Sequence, residues 1–379
     1  MPPRTTPRAG AIALAIAATF AALAAAETAL RWLRPEPASE VIYPCFSIPD
    51  PRTGFRFAPR GVGRIAAHFE FDHEVHLDSL GFHDQEPLAD GDADPRVLAV
   101  GDSFTAALQV PDGETWVDEL ERRLRARGHP RADVVNLGLD GTGTDVHLAL
   151  LEQYVPRFRP TTTLVAFFAN DAEDVRDGRF TRECHRGYVL SYQSEAQRDA
   201  LRAQVDAVSE HRALRWLFQR SYGVRLALVA LEGPATPYRL NFRQPSRAAL
   251  GLGPDELRRR EAWPRASFEA LARFAAGCDC GLVVVPVPAR RDLSASLELA
   301  RGLAAGLPLE IVDVLPRIRD ALARDGREPA DLFFRFDAHL NGYGNRVFAE
   351  AVDEAIDWGP RGRSAAPVAS GAPPTPSAP

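Results

Sequence analysis

A chain of 379 residues, 45% hydrophobic and 25% charged, can bury one large core or two modest ones, and its charged fraction is ordinary for a globular protein. All 45 basic residues are arginine, and the net charge is −6. No basic stripe is interleaved with aromatics, which leaves nucleic-acid binding without support.

Arg4 and Arg8 precede an uncharged, Ala-rich run over residues 9–26, and Glu27 closes it. Charge followed by an apolar run and small residues (Ala24, Ala25, Ala26) is the layout of a signal peptide. A retained membrane anchor fits residues 1–34 equally, with Leu30, Trp32 and Leu33 extending the run to an interfacial Trp and Arg. Both predict an exported protein. Export permits disulfides, and Cys45, Cys184, Cys278 and Cys280 allow three pairings between which sequence does not choose. The Cys278-Asp279-Cys280 spacing is not that of a zinc knuckle, and no His pair lies beside it. The cysteines therefore read as structural, with no metal site.

Residues 35–95 read as an extended and β-rich lead-in. Turn signals lie at Asp50-Pro51 and Thr53-Gly54. Residues 69–77 alternate strictly, with Phe69, Phe71, His73, Val75 and Leu77 on one face and Glu70, Asp72, Glu74 and His76 on the other, which predicts a half-buried strand. His73 and His76 then point to opposite faces and cannot share a metal. An acidic linker over 89–95 leads into the main domain.

Residues 96–358 alternate strand and helix. Strands are predicted over 97–100, 133–139, 163–168, 282–287 and 309–314. Helices are predicted over 115–127, from Gly143 to about 154, over 263–276 and over 342–356. Residues 177–262 break the rhythm and read as an insertion, helical near 194–218 and rich in Pro and Arg near 233–254. Residues 359–379 are Gly, Pro, Ser and Ala in the main and are expected to be a disordered tail. Alternation of this kind predicts a three-layer α/β/α sandwich around a parallel, flavodoxin-like sheet of about five strands. Ligands in such sheets bind outside the carboxyl ends of the strands. Ser103 follows the first strand, Gly141 the second and Asn170 the third, and Asp337-Ala338-His339 precedes the closing helix. One rim can hold all of them.

Ester chemistry needs a nucleophile, a base, an orienter for the base and donors for the oxyanion. Ser103 is the candidate nucleophile, His339 the base and Asp337 the orienter. Gly141 N–H and the Asn170 amide are the candidate donors, glycine letting its backbone approach a reacting carbonyl. Each has a plainer structural alternative. Asp102 or Ser103 can cap a helix, Asn170-Asp171 can cap another, Gly141 can serve a turn, and Asn341 can cap the closing helix.

The motifs together carry a resemblance. Gly101-Asp102-Ser103-Phe104 resembles the first block of the GDSL, or SGNH, hydrolases, with Phe in the place of Leu. Asn136-Leu137-Gly138-Leu139-Asp140-Gly141 resembles their second block and Asn170-Asp171 their third. Asp337-Ala338-His339, followed by Leu340-Asn341-Gly342-Tyr343-Gly344, resembles the fifth. The resemblance spans most of residues 95–357. Residues 78–84 resemble the segment before the catalytic domain in exported, membrane-anchored bacterial members. It implies Ser103 as nucleophile, His339 as base and Asp337 as its orienter. Ser103 N–H, Gly141 N–H and the Asn170 side chain would form the oxyanion hole, with no metal or cofactor. Two residues depart from the pattern. Only Ala338 separates Asp from His where two residues are usual, a spacing shared with related acetyltransferases of exopolysaccharide assembly. In some relatives a backbone carbonyl orients the His instead. Phe168 stands where the third block usually has Gly.

The implied function is a serine esterase acting on an acyl or acetyl ester of the cell envelope, its substrate a small molecule, lipid or glycan. The implied location is periplasmic, at the inner membrane through the N-terminal segment. The same triad also serves an O-acyltransferase modifying an envelope polysaccharide, and a non-catalytic envelope binding protein is the third reading.

Overall fold

The structure is a computed structural model that describes residues 7–33, 43–67, 70–89, 91, 93–209, 213, 216, 217, 221–224, 226, 227, 253–358 and 363–364. Phe69, the Pro- and Arg-rich stretch before residue 253 and nearly all of the tail lie outside the described residues.

The chain begins with helix α1 (Pro7–Leu33), whose residues Gly10–Leu33 are long and apolar enough to cross a membrane. The lead-in is two antiparallel hairpins. Strands β1 (Ser47–Asp50) and β2 (Gly54–Phe57) turn at the expected Asp50 to Gly54 signals, where the Asp50 carboxylate accepts from the N–H groups of Arg52 and Thr53. Strands β3 (Val62–Ala67) and β4 (Phe71–His76) form the second. In β4, Phe71 and Val75 are buried while Asp72, Glu74 and His76 are exposed, the alternation expected of a half-buried strand.

The main sheet has five strands: β5 (Arg96–Gly101), β6 (Asp133–Gly138), β7 (Thr162–Phe167), β10 (Leu282–Pro286) and β11 (Glu310–Ile311). All are parallel, in the order β6-β5-β7-β10-β11. This is the flavodoxin-like order, with the reversal of direction falling between β5 and β7. Between strands run α2 (Ser103–Ala106), α3 (Trp116–Ala126), α4 (Thr144–Phe158) and α5 (Asp171–Asp177). The insertion supplies a hairpin, β8 (Thr181–His185) and β9 (Tyr188–Tyr192), then α6 (Glu195–Ser209) and α7 (Pro254–Arg260). Helices α8 (Trp263–Gly277), α9 (Ala295–Ala304), α10 (Leu315–Asp325) and α11 (Gly342–Ala355) complete the layers.

Alternate residues of each strand go to opposite faces. Val97, Ala99, Leu164 and Val283 pack under α3, α10 and α11, while Leu98, Val100, Val165 and Val284 pack under α4, α8 and α9. Phe46, Phe55, Phe57 and Ile65 of the lead-in join the second face. The first face is anchored by Trp116, fully buried with its ring 5.2 Å from that of Phe348. Thr115 and Asp118 form a capping box that starts α3 and holds Trp116 in place. Burial of such a side chain stabilises the fold by roughly 3 kcal/mol.

The expected fifth strand over 309–314 pairs only at Glu310 and Ile311, although Val312 and Val314 remain buried. The apolar run there marks core contact at the sheet edge rather than a full ladder. The cysteines form two bridges, Cys45–Cys184 and Cys278–Cys280. The first ties the lead-in to β8, and Phe55 stacks on Phe180 beside it, ring centroids 5.7 Å apart.

Gly138 tests how closely α2 lies on β6: a Cβ there would sit 2.1 Å from the backbone nitrogen of Ala106. Gly138→Ala should lower stability by about 2 kcal/mol or more, read from the thermal melt. Gly302→Ala in α9, where a Cβ meets nothing within 4 Å, should be neutral or stabilise by up to about 1 kcal/mol. Equal effects of the two would contradict this packing.

Candidate active site

Strand β5 ends at Gly101, where a Cβ would fall 2.1 Å from Thr105 Oγ1. The chain turns there directly into α2. Asp102 caps that helix, its carboxylate accepting from Phe104 N–H at 2.9 Å. Ser103 is thereby the first helical residue, 7% exposed at the carboxyl edge of the sheet.

A helix of four residues cannot satisfy its own carbonyls. The fully buried Asn136 of β6 donates to the carbonyls of Thr105 (2.9 Å) and His83 (3.0 Å), and accepts from Gly138 N–H at 2.8 Å. The His83 ring donates through Nδ1 to the Ala106 carbonyl at 3.0 Å, and its Nε2 lies 3.0 Å from the Asp112 carboxylate. His83 belongs to the 78–84 segment, so the lead-in holds the end of the serine-bearing turn.

His339 Nε2 lies 2.8 Å from Ser103 Oγ, and His339 Nδ1 lies 2.5 Å from Asp337 Oδ1. The three side chains expected to act together thus form one continuous relay. The single intervening residue is accommodated because Ala338 adopts φ 72°, a left-handed backbone that folds the Asp and His side chains toward each other. Glu70 fixes this loop from the lead-in: its carboxylate accepts from the N–H groups of Phe336 and Asp337, both at 2.8 Å. The Phe334 N–H donates to the His339 carbonyl at 2.9 Å, closing the loop on itself.

Asn170 follows β7 and stands at the N-cap of α5. Asp171, fully buried, accepts from Phe168 N–H at 3.1 Å and so shapes the turn that carries it. The Asn170 side chain helps hold the Asp102 carboxyl down, which places it beside the serine turn. Gly141 lies in the loop after β6 with φ 68°, a backbone open to glycine. Its neighbour Asp140 is paired with the buried Arg182 of β8 at 3.2 Å, and Arg182 stacks over Phe55 at 4.0 Å. Phe104 lies 4.1 Å from Phe168 and 4.7 Å from the His339 ring, centroid to centroid, so Phe168, in the place of Gly, backs Phe104 in an aromatic wall beside His339.

Charge on the relay follows from this enclosure. Burial works against the imidazolium of His339, but the carboxylates of Asp337, Asp102 and Asp140 outweigh it and lift its pKa to about 9. Burial pushes the Asp102 carboxyl up to about 6, against the opposing pull of Phe104 N–H and His339. Among the described residues no group of His, Cys, Asp and Glu is arranged to hold a metal. His73 and His76 do go to different partners, the Leu108 carbonyl and the Asp112 carboxylate.

Five contributors escaped the sequence reading: Glu70, His83, Asn136, Asp140 and Arg182. His83, Asp140 and Asn136 lie inside quoted motifs, so their position was available although their bonds were not. Glu70 carries no signal beyond an exposed place in an alternating strand.

No family model and no curated protein matches the chain. The chain is similar to several solved structures. A catalytic mutant of an acetylxylan esterase from Geobacillus stearothermophilus is 15% identical over 72% of this chain and 98% of its own, with a TM-score of 0.36. A lipase/acylhydrolase from Enterococcus faecalis is 14% identical over 68% of this chain and 93% of its own, with a TM-score of 0.35. An α/β hydrolase from the metagenome of Lake Arreo, Spain, is 17% identical over 70% and 94%, with a TM-score of 0.35. At that level the likeness carries no inference about activity.

The relay makes a direct prediction. The His339 imidazole should titrate near pH 9 by NMR, and Asp337→Asn should move that titration toward the ordinary value of about 6.5. Titration near 6.5 in both proteins would contradict the charge balance described.

Proposed function

We propose that the chain is a serine ester hydrolase of the GDSL/SGNH type, acting on an acyl or acetyl ester in the cell envelope. The observation that carries this reading is the unbroken relay from Ser103 Oγ to His339 to Asp337, at 2.8 Å and 2.5 Å. In this mechanism His339 Nε2 takes the Ser103 proton as Oγ attacks the ester carbonyl carbon. Asp337 holds the imidazole by Nδ1 and stabilises the imidazolium. The N–H groups of Ser103 and Gly141 and the amide of Asn170 receive the oxyanion, each such donor being worth roughly two to three orders of magnitude in rate. The tetrahedral intermediate collapses as His339 returns the proton to the leaving alcohol. A water molecule, deprotonated by the same imidazole, then releases the acid and restores Ser103. The chemistry needs no metal or cofactor.

The N-terminal helix supports export and attachment to the inner membrane, with the catalytic domain on the periplasmic side. The substrate is an ester-bearing small molecule, lipid or glycan. The aromatic wall of Phe104 and Phe168 favours a short acyl group.

Full-length protein should react with a fluorophosphonate probe and hydrolyse p-nitrophenyl acetate. Ser103→Ala should abolish labelling, and both Ser103→Ala and His339→Ala should cut kcat by at least about 10⁴-fold. Folded wild-type protein that neither labels nor hydrolyses would sink the proposal and favour a binding role. The base must be neutral to act, so kcat/KM should climb with pH and reach half its limit at about 9. Partition of the acetyl group between water and added oligosaccharide separates hydrolase from O-acyltransferase: predominant transfer would establish the latter.

Phe168→Gly should raise kcat/KM for p-nitrophenyl octanoate relative to the acetate by about tenfold, since each buried methylene contributes roughly 0.8 kcal/mol. An unchanged chain-length profile would remove Phe168 from the acyl site.

A further inference from the structure

Among the described residues, the insertion touches the N-terminal helix at Glu27. Glu27, in the last two turns of α1, accepts hydrogen bonds from Ser221 Oγ (3.0 Å), Gly223 N–H (3.0 Å) and Tyr222 N–H, residues nearly two hundred positions away. Arg31, one turn on, donates to the same carboxylate at 2.9 Å. A Cβ at Gly223 would lie in ordinary van der Waals contact with Glu27 Oε2 at 3.5 Å and Leu30 Cδ1 at 3.8 Å, so the segment rests against the helix face. Tyr222 is buried behind this contact.

The contact has a fixed depth. An uncharged helical run over residues 9–26 is about 27 Å long at 1.5 Å per residue, close to the thickness of a bilayer's hydrocarbon core. Glu27 then falls at the boundary of that core, where a charged group begins to be tolerated. On the two elements that meet here, four large apolar side chains that a soluble protein would hide are exposed: Trp32 (82% exposed), Leu33 (75%), Trp216 (54%) and Leu217 (39%). Trp216 and Leu217 are joined to the clasp through Ser221 N–H, which donates to the Leu217 carbonyl at 2.7 Å. Tryptophan concentrates at membrane–water interfaces, its ring amphipathic and its N–H wet.

We propose that Trp216, Leu217 and residues 221–224 form a membrane-interface seat: residues 221–223 clasp α1 through Glu27, and Trp216 and Leu217, with Trp32 and Leu33, lie in the headgroup region of a lipid bilayer. The seat rests on the reading of α1 as a membrane helix and not on the proposed catalysis. It requires that α1 be kept in the mature protein. Residues 27–33 alone make only two turns, too few to hold a helix in water without the turns before them. The exposed apolar residues continue the surface of the membrane helix itself, so the occupant is lipid rather than a second protein.

The test uses the full-length protein extracted from membranes and reconstituted in phosphatidylethanolamine–phosphatidylglycerol vesicles. Its intact mass should be that of the whole chain, 41.4 kDa. A mature chain beginning at or after Glu27 would overturn the anchor reading and the seat with it. With the anchor retained, the seat is read separately by tryptophan emission in vesicles with brominated and unbrominated acyl chains. The emission difference between wild type and Trp216→Phe reports Trp216 alone, and bromine should quench it. Quenching of Trp216 should fall in Glu27→Ala, which frees the segment while leaving the helix inserted. An unquenched Trp216, or quenching indifferent to Glu27→Ala, would overturn the seat while leaving the anchor standing. Burial of Trp216 by another protein would show as emission insensitive to bromine.

Discussion

The serine is presented by a helix too short to support itself. Four residues make one turn: the N–H groups of Ala106 and Ala107 close it on the carbonyls of Asp102 and Ser103, and the carbonyls of Thr105 and Ala106 must find partners outside the helix. The fold answers with two buried donors, Asn136 from the neighbouring strand and His83 from the lead-in. Because Asn136 also donates to the His83 carbonyl, the two supports are themselves joined. The lead-in therefore supports the turn that carries Ser103 and is not merely a tether. Its second hairpin does the same for the Asp337-Ala338-His339 loop, with Glu70, in the turn between β3 and β4, gripping the backbone of that loop. Both halves of the relay are braced by residues that precede the sheet in the chain.

The electrostatics of the relay serve the same end at a cost. Three carboxylates face one imidazole, and only Asp337 touches it. Asp102 is occupied in capping α2, and Asp140 is paired with Arg182. Their field stabilises the His339 imidazolium and keeps it protonated near neutral pH. Arg182 tempers this through its pairing with Asp140, which gives the insertion hairpin an influence on His339 that no direct contact would reveal.

The sheet was legible because its strands are continuous apolar runs closed by Gly or a polar turn, the mark of strands buried on both faces. The α3 helix was equally legible, since Thr115, Trp116, Leu120 and Leu124 fall at cap and face positions, the three apolar ones fully buried. The helix α10 carries similar spacing at Leu315, Ile318 and Leu322, yet a proline in its first turn reads as a break when it is a normal start. The β8–β9 hairpin escaped because its turn is Arg186-Gly187, both with positive φ, where Asn-Gly would have announced it. The candidate site was legible as a set of residues in order, since each follows its own strand. What sequence could not convey is how Asp337 and His339 converge across one residue. That depends on a non-glycine backbone at Ala338 held in a costly conformation by Glu70 on one side and the Phe334 bond on the other.

The Cys45–Cys184 bridge encloses a span of 139 residues, which in the chain-entropy picture removes about 5 kcal/mol of disorder from the unfolded chain. Ser103, Gly141 and Asn170 all lie inside that loop, with the three strands that carry them. Asp337 and His339 lie outside it, held against the serine turn by packing and hydrogen bonds and not by the bridge. Reduction of the bridge therefore lengthens the free chain that carries Ser103, Gly141 and Asn170 and leaves the covalent surroundings of Asp337 and His339 as they were.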